Sequence, residues 1–203
     1  MFSNVYQACR TGTLVGLFSL TGLISLQAHA QSNSPSSQAL VAETTKPQNQ
    51  THIYVNPALG KDEPGGGSAT DPLDTITYAL QQATPGTTIQ LAPGNYSLQS
   101  GEVFPLVLKE GITLQGDESN KGQTTVITGG DRYISPTFAR QNITVLAEKD
   151  SALLGVTITN PNKRGTALWI ESTNPTVKHN TFANSNRDGI FVTGTATPMI
   201  EAN

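Results

Sequence analysis

Cysteine is almost missing: Cys9 is the only one in 203 residues, and it falls in the N-terminal leader. No disulfide framework and no thiolate metal site can be built from it. Charge is also scarce, at 13% of residues against about 25% in an average domain. Residues 1–30 contribute only Arg10, so 11 basic and 15 acidic residues remain beyond them, a net charge of −4. Without a basic stripe, nucleic acid and anionic membrane surfaces are poor partners. The chain also lacks a phosphate-cradling Gly-x-x-x-x-Gly-Lys loop, a Gly-x-Gly-x-x-Gly turn opening a helix, a Gly-x-Ser-x-Gly elbow and a His-Glu-x-x-His zinc pair.

Threonine and asparagine fill the deficit, with 27 and 14 residues. That bias suits strands and tight turns, not a helical bundle. The one long apolar run is Thr13–Leu26. Its 14 residues would reach about 21 Å as a helix, short of the roughly 30 Å of a membrane core. With Arg10 before it and Ala28-His29-Ala30 after it, residues 1–30 read as a secretory signal peptide; the alternative is an uncleaved anchor. Residues 31–51 are polar and proline-bearing, and read as a flexible linker. The domain is expected over 52–203 in a protein that is secreted, periplasmic or on the cell surface.

One stretch organises that domain. Ile76, Ala79, Leu80 and Ala83 fall at i, i+3, i+4 and i+7, the apolar face of a short helix over 74–84. Asp74 is the expected N-cap, and Pro85-Gly86 ends the helix. Thr87–Leu91 then reads as a strand and Pro93-Gly94 as a turn. Further short strands are expected near 105–108, 111–115, 124–128, 142–147, 152–159, 166–171, 175–182, 189–193 and 198–202, each bounded by Gly, Asn, Pro or Asp.

Late in the chain a repeat emerges. Pro175-Thr-Val-Lys-His-Asn180 matches Pro198-Met-Ile-Glu-Ala-Asn203 at a spacing of 23, and Leu168-Trp-Ile170 matches Ile190-Phe-Val192 at 22. Asn160 and Asn184 lie 24 apart. Such a period fits one coil of a β-solenoid, with Leu168, Ile170, Val177, Phe182, Ile190 and Val192 facing in and paired Asn residues bonding from corner to corner. The fold class expected is all-β, a right-handed parallel β-helix with a short N-terminal capping helix. A β-sandwich is the runner-up, disfavoured by the period and by the lack of two-residue hairpin signals. The chain stops at Asn203 part-way through a repeat, so the expectation is a truncated domain, with further C-terminal coils or a partner covering the open end.

The opening of the domain resembles the head of bacterial right-handed parallel β-helix proteins, the pectin-lyase-like family, and specifically a head domain of unknown function found at their start. The residues that carry the resemblance are Ile53-Tyr-Val-Asn56, Gly60-Lys-Asp62, the glycines 65–67, Pro72-Leu73, Thr75-Ile76, Ala79-Leu80, Ala83, Pro85-Gly86, Ile89 and Gly94-Asn-Tyr96. The resemblance implies the fold but no single reaction, because this head precedes many different sites. By the same resemblance, catalytic coils would mostly follow the point where this chain ends, so no catalytic residue carries over.

Candidate chemistry is sparse. Lys178, His179, Arg187 and Asp188 lie on adjacent segments, and a base beside a carboxylate could abstract a proton from a uronate, with calcium neutralising its carboxylate. A solvated face with a local ion pair explains the same four residues. Asp117, Glu118 and Asp150 sit in acidic turns and are the candidate metal ligands, although calcium needs six to eight oxygens. Calcium would enter only under the lyase alternative, and no other cofactor is indicated. Trp169 and Tyr133 could stack on sugar rings, and packing against a neighbouring loop is the alternative; Trp169 faces outward if Leu168 and Ile170 face in, and Tyr133 opens a longer insertion that runs to Gln141. The expected function is an exported module that binds extracellular polysaccharide or serves as a surface solenoid without its own catalysis. The alternative is the N-terminal part of a polysaccharide lyase or hydrolase acting on a polyuronate-like glycan.

Overall fold

The computed structural model describes residues 51–203; the leader and residues 31–50 of the linker lie outside the described residues. The elements, in chain order, are β1 (His52–Val55), α1 (Ile76–Gln82), β2 (Thr88–Leu91), β3 (Gly94–Ser97), β4 (Leu106–Leu108), β5 (Thr113–Gln115), β6 (Thr125–Thr128), β7 (Asp131–Ser135) and β8 (Ala139–Ala147). They continue with β9 (Ala152–Leu154), β10 (Thr157–Thr159), β11 (Gly165–Glu171), β12 (Thr176–Lys178), β13 (Thr181–Phe182), β14 (Asp188–Thr193) and β15 (Met199–Glu201). Two short 3₁₀ turns, Leu98–Ser100 and Glu118–Asn120, complete the set.

The strands form three sheets. The first runs β1-β2-β5-β9-β12-β15, the second β3-β6-β10-β13 and the third β4-β8-β11-β14. Every pairing along these paths is parallel, and β7 adds one antiparallel pairing onto β8. The chain visits the sheets in the same cyclic order on each circuit, for example β9, β10, β11 and then β12, β13, β14. Mostly β structure, with parallel sheets and one short α-helix among the described residues, is compatible with a parallel β-helix.

Register explains why the core holds. Ile89, Leu114, Leu153, Val177 and Ile200 are successive partners in the first sheet. Tyr96, Ile127, Ile158 and Phe182 align in the second, and Leu106, Val145, Leu168 and Ile190 in the third. Each inward position therefore rests on a like side chain, and each fully buried Leu, Ile or Val contributes roughly 1.5–3 kcal/mol. The repeat of 22–24 residues is real in the later circuits: Leu168 lies beside Ile190, and Val177 beside Ile200. Val192 also faces in with Ile170, yet it is 43% exposed.

Several boundaries differ from the sequence reading. The expected strands 152–159 and 175–182 each break at a left-handed residue, Gly155 (φ 60°) and His179 (φ 52°), where the chain turns from the first sheet to the second. The chain bends at Pro93 alone, and Gly94, expected in a turn, is already the first residue of β3. Asn180 and Asn203 do bond, Nδ2 to Oδ1 at 3.0 Å. Asn160 instead donates to Asn142 Oδ1 at 3.0 Å, and Asn184 takes up a left-handed backbone in place of a ladder position.

Helix α1 is capped by Thr75, not by Asp74: Thr75 Oγ1 accepts from Tyr78 N at 3.0 Å. Two acids from elsewhere take the remaining amides. Asp62 accepts from Asp74 N and Thr75 N at 2.9 and 3.1 Å. Glu102, buried, accepts from Ile76 N at 2.7 Å and from Thr77 N at 2.9 Å. Ile76, Ala79 and Leu80 are buried, and the helix packs against β1, β2 and β4.

Candidate functional site

Alternation along β11 places Leu168 and Ile170 inside, and therefore Trp169 and Glu171 on the outer face of the third sheet. The hairpin β7–β8 folds over that face. Its side chains converge on one carboxylate. Glu171 Oε1 accepts from Ser135 Oγ (3.0 Å), Thr137 N (3.1 Å) and Thr137 Oγ1 (2.5 Å). Glu171 Oε2 accepts from Trp169 Nε1 (2.9 Å) and Tyr133 Oη (3.3 Å). Desolvation pushes the Glu171 carboxyl up, but the bonds from Thr137, Trp169 and Ser135 together outweigh it and hold the group below its ordinary value.

An aromatic cluster fills the space beneath. Trp169 stacks on Phe191 with centroids 4.4 Å apart, and Phe138 meets both rings edge-on. Tyr133 meets Trp169 at 6.2 Å. Arg187 lies 5.2 Å from the Phe191 centroid, pairs with Asp188 at 2.7 Å, and donates to Gln141 Oε1 at 2.7 Å. It ties β14 to the strand that carries the hairpin.

The residues singled out from the sequence are thus distributed over several places. Trp169 points outward as expected but is 0% exposed, sealed by the hairpin and by Phe191. Tyr133 lines a cleft of about 230 Å³ with Glu110, Glu148, Lys149, Glu171 and Thr173. Burial, and then the neighbouring Glu171, raise its phenol above the usual range. Lys178 ends β12 on the first sheet and pairs with Glu201 of β15 at 2.8 Å. His179 follows it, with Nδ1 2.7 Å from Glu118 Oε2. Arg187 and Asp188 stand at the start of β14 on the third sheet, so the two pairs belong to different sheets.

The acidic turns are occupied by neighbours. Asp117 caps the Glu118–Asn120 turn, accepting from Ser119 N (2.9 Å), Ser119 Oγ (2.6 Å) and Asn120 Nδ2 (2.6 Å), and the Ser119 bond above all holds it below the usual carboxylate range. Asp150 accepts from Asn174 Nδ2 at 2.6 Å and lies 3.3 Å from Lys149; the Asn174 bond leads in lowering it. Among the described residues no three His, Cys, Asp or Glu side chains are grouped to hold a metal ion. Asp117, Glu118 and Asp150 do not fit a calcium site, which takes six to eight oxygens from several groups. No helix among the described residues is long and apolar enough to cross a membrane.

Glu171 and Glu102 were not singled out by sequence reasoning. For Glu171 a signal existed: period-2 alternation after Trp169 puts a carboxylate beside the indole. Its partners in the hairpin lie 34 to 38 residues away and could not be read. Glu102 meets its helix from 26 residues downstream. Glu102 is raised chiefly by desolvation, which outweighs the bonds from Thr77 and Ile76.

No curated protein and no solved structure matches the chain. Residues 58–203 match the model of a family described as a protein of unknown function, DUF1565, and the chain belongs to that family.

Proposed function

We propose that this protein is an exported, right-handed parallel β-helix, capped by α1, that binds extracellular polysaccharide without catalysis of its own. Connections between parallel strands of one sheet are right-handed in about 98% of cases, which supports the right-handed reading. The leader and its Ala-x-Ala site support export. The observation that carries the non-catalytic reading is that each candidate reactive group is engaged as a clip. Lys178 joins Glu201, His179 joins Glu118, and Arg187 joins Asp188 and Gln141. Partly exposed pairs of this kind are the ordinary pattern of a solvated outer face.

Two measurements test this. Retardation in affinity gels containing neutral or acidic polysaccharides reads binding, and migration unchanged in every gel would remove the reading. Absorbance in the unsaturated-uronate band, followed after mixing with polyuronate and calcium, reads lyase chemistry. Sustained product formation would replace binding by the lyase alternative.

A further inference from the structure

A recess of about 480 Å³, roughly twice the Tyr133 cleft, opens where the segment between β3 and β4 meets the entry to the β7–β8 hairpin. Its size falls within the range of about 300–1,000 Å³ typical of small-molecule sites. Phe104 forms part of its wall, nine-tenths buried and packed on Gly129, where an added Cβ would lie 2.6 Å from the ring. Leu98 and Val103, 71% and 64% exposed, border the opening. Two large apolar side chains held in water on one concavity need an occupant or a reason.

Several polar side-chain atoms around this wall have no partner among the described residues. Asn162 donates through Nδ2 to Gly130 O at 2.9 Å, which leaves Oδ1 without a partner among the described residues. The Gln99 amide makes no hydrogen bond among the described residues, and Asp131 accepts only from the adjacent Arg132 N. Among the described residues, Asp131 is the only charged side chain lining the recess. An apolar wall with a few convergent donors and acceptors matches a pyranose ring, whose C–H face is apolar and whose edge carries hydroxyls. A lone carboxylate repels a uronate.

We propose that this recess takes one or two sugar units of a polysaccharide without carboxylate groups, resting on Leu98 and Val103 and bonding to Gln99, Asp131 and Asn162. The inference rests on the polysaccharide-binding reading above and adds to it a place and a substrate class.

Isothermal titration calorimetry of the full chain with cellohexaose, xylohexaose, mannohexaose, chitohexaose and hexagalacturonate tests it. At least one neutral hexaose should bind, and hexagalacturonate at least tenfold more weakly. Leu98→Ala/Gln99→Ala, in a turn with no buried residue, should weaken that binding at least tenfold while Trp169 emission and melting stay unchanged. Val103→Lys, at an exposed position, gives an independent second variant with the same expectation. Asp131→Asn should narrow the gap between neutral and acidic probes. Neutral binding retained by both Leu98→Ala/Gln99→Ala and Val103→Lys, or equal binding of hexagalacturonate by the unaltered chain, would overturn the recess and leave the broader reading standing. Failure of every hexaose to bind would overturn both.

Discussion

Two buried or half-buried carboxylates respond to pH in opposite directions. Glu171 is held below its ordinary value of 4.5, so the stability it lends is full above that value and is lost as pH falls through its folded value. Trp169 is the only tryptophan and donates directly to Glu171, so its emission should shift during acid titration. Glu171→Gln should move that emission at neutral pH and cost about 1–2 kcal/mol, because the amide cannot accept from all the donors that now converge there. Glu102 is raised, so its contribution is present below 4.5 and declines as pH rises through its folded value. Its removal is still harmful: Glu102→Ala leaves two first-turn amides of α1 unpaired and should lower stability by about 3 kcal/mol in chemical denaturation. An unchanged midpoint would show that water replaces the carboxylate.

At the scale of elements, the corners decide as much as the strands. Gly155 turns the chain between β9 and β10 at φ 60°, and an added Cβ would come within 2.4 Å of Glu118 N. Gly155→Ala should therefore cost more than the roughly 1 kcal/mol of a conformational effect alone and depress the melting temperature by several degrees. Helix α1 offers a second test. Leu80 is 5% exposed, and Leu80→Asp would bury an unpaired charge on the face that meets the sheets. The expected outcome is loss of soluble protein or a destabilisation of about 3–5 kcal/mol. Unaltered solubility and melting would count against the role of α1 as a cap. The hairpin behaves differently, because it is fastened through side chains to Glu171 as well as through its own backbone pairing with β8.

At the scale of the described residues, like side chains partner across neighbouring parallel strands, so each strand supports the next and the edge strands β14 and β15 leave Val192 and Ile200 partly exposed. Outward-facing positions then vary without disturbing the core, which is where a binding function can be carried. Export is tested at the same scale: the protein recovered from outside the cytoplasm should begin at Gln31, read by N-terminal sequencing. An intact residue 1 in the exported protein would favour the uncleaved anchor.

The alternation of Leu168, Trp169, Ile170 and Glu171, the repeat at 22–24 residues and the apolar face of Ile76, Ala79 and Leu80 were legible without coordinates. Each depends on periodicity, which a chain carries along its own length. What fills the outer face was not legible. Trp169 was left between stacking on a sugar and packing against a neighbouring loop, and a hairpin from 36 residues earlier in the chain decides for packing. Lys178, His179, Arg187 and Asp188 are near in sequence, yet they reach different sheets and different partners. Local pattern sets which way a side chain points, because backbone geometry repeats every two or 3.6 residues. What that side chain meets depends on segments brought alongside by whole circuits, and only the tertiary structure decided those contacts.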